Sequence, residues 1–177
     1  MRLFAAALPA GVTGHDAAYA LLRHAVPEVW GCACPEIGKT PSGRPYFIGR
    51  PELFLSVSHA RSHVLVGLSE APLGVDAETR REVREKLRDR LFTPEELRDF
   101  DFFEGWTLRE AVYKLTGSGS LMSMPLRRSP DGEIVTPFPG VRCRLYPDLP
   151  GCAAAVACVD GMFPEEIELV PEGGILP

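Results

Sequence analysis

The chain has 177 residues, a formal net charge of −5 and a hydrophobic share of 45%. A single core serves chains of up to roughly 250 residues, so the length predicts one compact domain or two small halves that share a core. The negative charge provides no field that would attract nucleic acid or an anionic membrane, and no apolar run approaches the ~20 residues that span a bilayer. We therefore expect a cytoplasmic protein that binds neither of these partners.

The five cysteines show neither paired C-x-x-C spacing nor histidines at zinc-finger intervals. Three of them lie among apolar residues, where a free cysteine packs as a small hydrophobe. We expect reduced thiols without a catalytic role.

The first third of the chain predicts a strand, a helix and a loop. A strand is expected in the apolar run at the start, and a helix begins at Thr13 or Gly14. That helix is expected to end at Ala25, before Pro27. The segment 31–51 is rich in glycine, proline and cations, which predicts a loop.

The remainder alternates between strand and helix patterns. Alternating or β-branched segments predict strands at 54–58, 64–68, 73–78, 142–146 and 152–159, and helices are predicted at 81–91, after the Thr93–Glu96 capping box and at 102–116. No internal repeat is visible in the sequence.

Two acids lie on one face of the predicted strand 73–78. Alternation along a strand places Asp76 and Glu78 on the same side, and hard cations such as Mg²⁺ bind carboxylate oxygens together with phosphates and water. The alternative is an edge strand with a solvated acidic face, and these two residues alone favour that alternative.

Three residues form a stripe on the predicted helix 102–116. Trp106, Glu110 and Lys114 are spaced four apart, which places them on one helical face. An ordinary surface ion pair between Glu110 and Lys114 is an equally simple interpretation.

Ser58 and His59 end the predicted strand 54–58. Neighbouring strand residues point to opposite faces and no G-x-S-x-G elbow surrounds them, which argues against a hydrolytic triad. His59 is a candidate phosphate donor or a structural histidine. Lys39 and Arg44, in the glycine-rich loop, are either solvated charges or phosphate ligands.

The order of several segments is more specific than any single one. The chain contains Gly43-Arg44-Pro45, Leu55-Ser56-Val57-Ser58-His59, Leu73-Gly74-Val75-Asp76-Ala77-Glu78, Trp106-Thr107-Leu108-Arg109-Glu110-Ala111-Val112-Tyr113-Lys114 and Gly117-Ser118-Gly119. In this order the chain resembles the 4'-phosphopantetheinyl transferase superfamily, and in particular its surfactin-synthetase-activating branch. The resemblance implies an α+β fold of two similar halves, about 1–72 and 73–177, packed about a pseudo-twofold axis with coenzyme A in the cleft.

The resemblance also implies roles for individual residues. Asp76, Glu78 and Glu110 would bind Mg²⁺, or Mn²⁺, which suits the same ligands. Coenzyme A would be bound by cationic and polar residues of the motifs, namely Lys39, Arg44, Ser58, His59 and Lys114. Before Lys39 the only Arg or Lys residues are Arg2 and Arg23, although this branch often uses N-terminal basic residues for the 3'-phosphate.

The implied reaction is transfer of 4'-phosphopantetheine from coenzyme A to a serine of an acyl or peptidyl carrier protein, with release of adenosine 3',5'-bisphosphate. Glu110, Lys114 and His59 would be catalytic, with Glu110 as the base. A monomer is expected, because one chain contains both halves. Two alternatives stay open, namely a metal-dependent nucleotide diphosphate hydrolase and a coenzyme A-binding or carrier-docking module without activity.

A basic cluster between the implied metal ligands and the capping box suits an acidic carrier protein. Its members are Arg80, Arg81, Arg84, Lys86, Arg88 and Arg90. Intervening acids make an ordinary exposed helix an equally good interpretation.

Overall fold

The computed structural model describes residues 1–159 and 161–174 and is a mixed α+β fold, as the sequence predicted. The strands in chain order are β1 (Arg2–Ala7), β2 (Ile37–Lys39), β3 (Pro45–Phe47), β4 (Phe54–His59), β5 (His63–Ser69), β6 (Leu73–Thr79), β7 (Arg127–Arg128), β8 (Ile134–Val135), β9 (Arg142–Tyr146), β10 (Cys152–Cys158) and β11 (Glu168–Leu169). The helices are α1 (Gly14–Trp30), α2 (Glu85–Leu91), α3 (Glu96–Asp99) and α4 (Phe102–Thr116), and a 3₁₀ turn follows at Glu172–Gly174.

Two sheets dominate the fold. The first has the strand order β11-β1-β5-β4 and the second has the order β6-β10-β9. Every pair in them is antiparallel except β1 with β11. Two separate hairpins, β2–β3 and β7–β8, complete the strand pairing of the described residues.

The two sheets are built by the same succession of elements. In the first, β1 is followed by a helix, a hairpin, β4 and β5, and the spatial order is β1-β5-β4. In the second, β6 is followed by helices ending in α4, a hairpin, β9 and β10, and the spatial order is β6-β10-β9. The change falls between Ser69 and Leu73. A twofold relation between the halves stays a prediction, and residues 160 and 175–177 of the second half lie outside the described part.

Each sheet is covered by one long helix, and the two sheets share buried side chains. The buried face of α1 packs on the first sheet, and that of α4 packs on the second. A further cluster joins Leu3 and Leu65 of the first sheet to Leu73, Val75 and Val156 of the second. The two sheets are therefore packed on one another through apolar contact.

Side-chain hydroxyls join β4 to β6 where the sheets meet. The Val75 amide donates to Ser56 Oγ at 3.0 Å, and the Ala77 amide donates to Ser58 Oγ at 3.2 Å. An unpaired backbone amide buried away from water is costly. The two serines thus accept hydrogen bonds from amides on the outer edge of β6, in place of a neighbouring strand. We call this junction of β4 with β6 the seam.

Three predicted boundaries were wrong. The first helix continues through Pro27 to Trp30, whose ring packs edge-on against Phe47, and it ends at Gly31 in the left-handed region. Proline removes one helical hydrogen bond. The helix nevertheless continues through Pro27, and its last turn gains the contact between Trp30 and Phe47. The segment 31–51 contains the β2–β3 hairpin, and α2 begins only at Glu85.

The sequence correctly predicted the bounds of one helix and one strand, and one capping box. The helix Phe102–Thr116 and the strand Arg142–Tyr146 have the predicted bounds. The Thr93–Glu96 capping box forms both of its reciprocal hydrogen bonds. No cysteine forms a disulfide in the described part of the chain. Over the same residues, the structure contains no helix with the length and apolar character needed to cross a membrane.

Gly74 lets α4 approach the backbone of β6. A Cβ placed there would lie 2.1 Å from the Ala111 carbonyl oxygen and 2.7 Å from the Leu115 amide nitrogen. Both atoms belong to the backbone of a packed helix and cannot move aside as a side chain could. Glycine is therefore required for this helix–sheet distance.

We expect Gly74→Ala to destabilise the fold by about 3 kcal/mol, the upper part of the usual cost of overpacking. Chemical denaturation measures this change. The matched control is Gly173→Ala, because a Cβ at Gly173 meets nothing within 4 Å. Equal stability of the two variants would contradict the close contact.

A buried ion pair fixes α4 against the preceding segment. Arg109 is only 1% exposed and donates to Glu96 Oε1 at 2.8 Å, to the Leu91 carbonyl at 2.6 Å and to the Leu121 carbonyl at 3.2 Å. Burial acts to raise the pKa of Glu96, but hydrogen bonds from the Thr93 amide, Arg109 and another backbone amide outweigh it and hold the pKa below 4.5. The charged pair thus holds α3 against α4.

Glu96→Gln should destabilise the protein by about 3 kcal/mol at pH 7, because it leaves the buried guanidinium without its counter-charge. A carboxylate whose pKa is lowered in the folded state stabilises it above the unfolded pKa, and this contribution disappears as the pH falls through the folded pKa. The stability gap between wild type and variant should therefore shrink below about pH 4.5. Urea denaturation at pH 7 and below pH 4 measures it, and a gap independent of pH would contradict the assignment.

Candidate active site

A pocket of about 310 Å³ lies at the seam between the two sheets. Its walls come from the first turns of α1, the β2–β3 hairpin, the end of β4, the end of β6 and the middle of α4. It is lined by His15, Ala18, Tyr19, Lys39, Gly43, Pro45, Val57, Ser58, His59, Asp76, Ala77, Glu78, Glu110 and Lys114. The resemblance implied eight residues that bind the metal or coenzyme A or are catalytic. All of them except Arg44 border this one cavity.

Asp76 is the buried centre of this pocket, with 4% of its surface exposed. Its Oδ1 accepts a hydrogen bond from the Ser58 hydroxyl and another from Lys114 Nζ, both at 2.7 Å. Lys114 Nζ also donates to the Val75 carbonyl at 3.1 Å. The other carboxylate oxygen, Oδ2, is buried and has no hydrogen-bond partner among the described residues. Such an atom is costly to leave unpaired, so a ligand that contacts Oδ2 would relieve that cost.

Glu110 and Glu78 add two partly buried carboxylates to the pocket. The pKa of Glu110 is raised, first by burial and then by the charge of Asp76, whereas Lys114 acts to lower it and Glu78 adds to the rise. Glu78 also lies 3.4 Å from Arg81. Glu110 is thus close enough to Asp76 and to Glu78 for the charge of each to disfavour its ionised form.

The predicted metal ligands are brought together only in part. They share one pocket, but over residues 1–159 and 161–174 no three acidic, histidine or cysteine side chains are arranged as a metal site. Lys114 occupies Asp76 Oδ1 instead. The donor set is nevertheless all oxygen, which suits Mg²⁺, and it includes the unpartnered Oδ2 of Asp76. The residues therefore fit a divalent cation, which would need the three side chains to converge.

Ser58 and His59 take different positions. The Ser58 hydroxyl accepts from the Ala77 amide and donates to Asp76, so its proton is committed to that carboxylate. His59 is exposed and lies against the first turn of α1, where a Cβ on Gly14 would come within 2.9 Å of it. His59 is therefore the more available donor of the two.

Lys39 borders the pocket but Arg44 does not. The Arg44 guanidinium donates to the Leu115 carbonyl at 3.3 Å, near the end of α4, and Arg44 lines a separate cavity of about 330 Å³. It ties the β2–β3 hairpin to α4. Trp106, the first residue of the predicted stripe, is also absent from the pocket lining.

His15 and Tyr19 also line the pocket and were not predicted from the sequence. They lie four residues apart on α1, and their ring centroids are 4.4 Å apart. Lys39 Nζ lies 5.8 Å from the Tyr19 ring centroid. The spacing of the two rings, four residues apart on a polar face of the helix, was visible in the sequence. Their position beside the pocket depends on how α1 packs against the seam, which the sequence does not indicate.

Comparison with known proteins relates the chain to one family. A family model described as the 4'-phosphopantetheinyl transferase superfamily matches residues 72–145, which contain β6, α4 and all three carboxylates. The chain is 28% identical over 134 residues to 4'-phosphopantetheinyl transferase psf-1 of Bacillus pumilus, covering 67% of this chain and 58% of that protein. It is 26% identical over 153 residues to 4'-phosphopantetheinyl transferase ffp of Bacillus subtilis, covering 76% and 67%.

A third relative is the putative 4'-phosphopantetheinyl transferase slr0495 of Synechocystis sp., 32% identical over 94 residues, with 45% of this chain and 38% of that protein covered. The chain is thus similar to the 4'-phosphopantetheinyl transferase superfamily over residues 72–145 and to these three relatives. Its similarity to the Bacillus proteins agrees with the surfactin-synthetase-activating branch. The chain spans little more than half of the first relative's length.

Proposed function

We propose that this chain transfers 4'-phosphopantetheine from coenzyme A to a serine of an acyl or peptidyl carrier protein. The observation that carries the proposal is the pocket at the seam, where Asp76, Glu78, Glu110 and Lys114 lie together. All four residues lie on elements that the family model matches. The relatives with this activity in their names support it. A monomer in the cytoplasm, as expected from the sequence, belongs to the same proposal.

In this reaction the carrier serine oxygen attacks the phosphorus that bears pantetheine. The bond from that phosphorus to the bridging oxygen breaks, adenosine 3',5'-bisphosphate leaves, and the serine proton passes to a base. Phosphoryl transfer depends chiefly on positioning and on stabilisation of charge. The pocket offers both acidic and cationic groups for this purpose.

Asp76, Glu78 and Glu110 would hold Mg²⁺ or Mn²⁺, supported by their oxygen donors and by the unpartnered Asp76 Oδ2. A bound divalent ion would neutralise the diphosphate oxygens and the leaving group. Lys114 already offsets the charge of Asp76 through their 2.7 Å contact. Once a cation shares the Asp76 carboxylate, the Lys114 ammonium would also be able to interact with the diphosphate.

The remaining polar residues are assigned by their exposure. His59 and Lys39 are exposed donors at the pocket and would contact phosphate oxygens. Ser58 would act mainly by holding Asp76, and would contact phosphate only if that hydrogen bond opened. Arg44 would meet the nucleotide end only if it left the Leu115 carbonyl.

Glu110 is assigned as the base that accepts the serine proton, directly or through a water molecule. It borders the pocket on the same face of α4 as Lys114, one turn away. Its carboxylate has no hydrogen-bond partner or ion pair among those found in the described residues, unlike Asp76. It is therefore available for a proton as well as for a cation.

Glu110→Gln should lower turnover by about 100-fold or more, the usual contribution of a positioned base, while the fold is kept. The assay is the intact mass of an apo-carrier protein after incubation with coenzyme A and Mg²⁺. Glu82→Gln, a change at an exposed site in the segment before α2, is the matched control. Near-full activity of Glu110→Gln would refute its role.

The same incubation separates this proposal from the two alternatives. Transfer adds the mass of the arm to the carrier protein. Hydrolysis would consume coenzyme A and leave the carrier unchanged, whereas a binding module would change neither. Either of the last two outcomes would overturn the proposed activity.

The basic cluster from the sequence divides into paired and unpaired members. Arg80, Arg81 and Arg88 each lie within 4 Å of a carboxylate. Among the described residues Arg84, Lys86 and Arg90 have no ion pair. The apolar Leu87 is exposed between Arg84 and Arg90. We assign this face of α2 to docking of an acidic carrier protein.

Arg84→Glu combined with Arg90→Glu should raise KM for the carrier about tenfold, because like charges would face each other across the interface. The KM for coenzyme A should stay unchanged. Steady-state kinetics with each substrate varied in turn measures both. Arg127→Glu, on the exposed β7, is the control, and an equal effect of that change would remove α2 as the docking element.

A further inference from the structure

The outer edge of β9 is open in the part of the chain that the structure describes. β9 is an end strand of the sheet β6-β10-β9 and pairs there with β10 alone. Among residues 1–159 and 161–174, no hydrogen bond from another element reaches the backbone of Arg142–Tyr146 on its other side. An edge strand with free N–H and C=O groups can pair with a strand of another chain.

A groove of about 490 Å³ lies along this edge. Residues 142–145 of β9 line one side, and the β7–β8 hairpin contributes Arg128, Glu133 and Ile134. The start of α4 adds Glu104. The groove shares no lining residue with the pocket at the seam, so it is a separate feature of the surface.

Two arginines give this groove a positive charge. In the described part of the chain neither Arg128 nor Arg144 has an ion pair, and their guanidinium groups donate to backbone carbonyls. The two acids of the groove, Glu104 and Glu133, each lie within 4 Å of another guanidinium. The charges of Arg128 and Arg144 are therefore available to an acidic ligand.

The two faces of β9 differ in chemistry at the groove. Side chains alternate along a strand, so Arg142 and Arg144 lie on one face and Cys143 and Leu145 on the other. Leu145 and Ile134 are partly buried against the core that includes α4, and both border the groove. A strand added at this edge would therefore meet cations on one face and apolar side chains on the other.

We propose that β9 is the docking edge for an extended segment of a partner protein in which acidic and apolar residues alternate. The segment would join the three-stranded sheet as an additional strand, with affinity from main-chain hydrogen bonds and specificity from alternate side chains. A second copy of this chain fits less well. Pairing of β9 with itself would place arginines opposite one another, and like charges directly opposite destabilise a sheet.

The probe is a fluorescently labelled peptide of about six residues, the usual length of a strand, in which glutamate and valine alternate. Wild type should bind it saturably in fluorescence anisotropy. A peptide with lysine in place of glutamate should bind about tenfold more weakly, because like charges would face each other. Arg144→Glu should weaken binding of the glutamate peptide about tenfold for the same reason.

The matched control is Arg61→Glu, since Arg61 is an exposed arginine outside the groove. This variant should bind the glutamate peptide as wild type does, and circular dichroism establishes that both variants fold. No saturable binding by wild type, equal affinity for the two peptides, or an equal loss in both variants overturns the proposal. A dimer in sedimentation equilibrium that the glutamate peptide dissociates assigns the edge to a second copy and also overturns it.

Two further peptides separate strand addition from attraction by charge alone. One carries N-methyl groups on its glutamate amides and the other on its valine amides. Successive N–H groups of a strand point to opposite sides, so only one of the two sets faces β9. One peptide should therefore keep its affinity for wild type and the other should lose it, and equal affinities contradict strand addition.

Discussion

The burial of Asp76 at the seam is the constraint on which the site depends. A carboxylate loses much of its hydration when it is 4% exposed, so the surrounding structure must supply compensation. Ser58 from the first sheet and Lys114 from α4 provide it through Oδ1. Three elements, β4, β6 and α4, must therefore be correctly placed before this charge can be accommodated. Among the described residues only one of its two carboxylate oxygens has a hydrogen-bond partner.

That placement comes from contacts that have no chemistry of their own. Gly74 permits the close approach of α4 to β6, which brings Lys114 to Asp76 and Glu110 to the pocket. Arg109 and Glu96 hold the other side of the same helix. The serines of β4 keep the sheets in register at the seam. The contact at Gly74 and the buried Arg109–Glu96 ion pair thus orient the polar face of α4 toward the pocket.

The sequence predicted most elements because their signals are local. Capping residues and Gly117 determine the ends of α4, and alternation identifies β4, β5 and β6. The repeated order of elements, in contrast, is invisible in the residues and appears only in the topology. The β2–β3 hairpin was missed because its strands have three residues each, too few for a periodic pattern.

The candidate site was predictable to the extent that its residues lie in motifs. Asp76, Glu78, Glu110, Lys114 and His59 were found that way and share a pocket. The position of Arg44 could not be predicted, because it depends on a carbonyl 71 residues away. The environment of Tyr19 likewise depends on which face of α1 meets the seam, and long-range packing decides this.

The short strand β11 protects an otherwise open part of the first sheet. It pairs in parallel with Phe4 and Ala5, and Glu168 forms an ion pair with Arg2 at 2.5 Å. Unpaired apolar edge strands promote pairing between molecules, and β1 consists almost entirely of apolar residues. By pairing with β1, the segment around Glu168 leaves less of this apolar edge free to pair with a second copy of the chain.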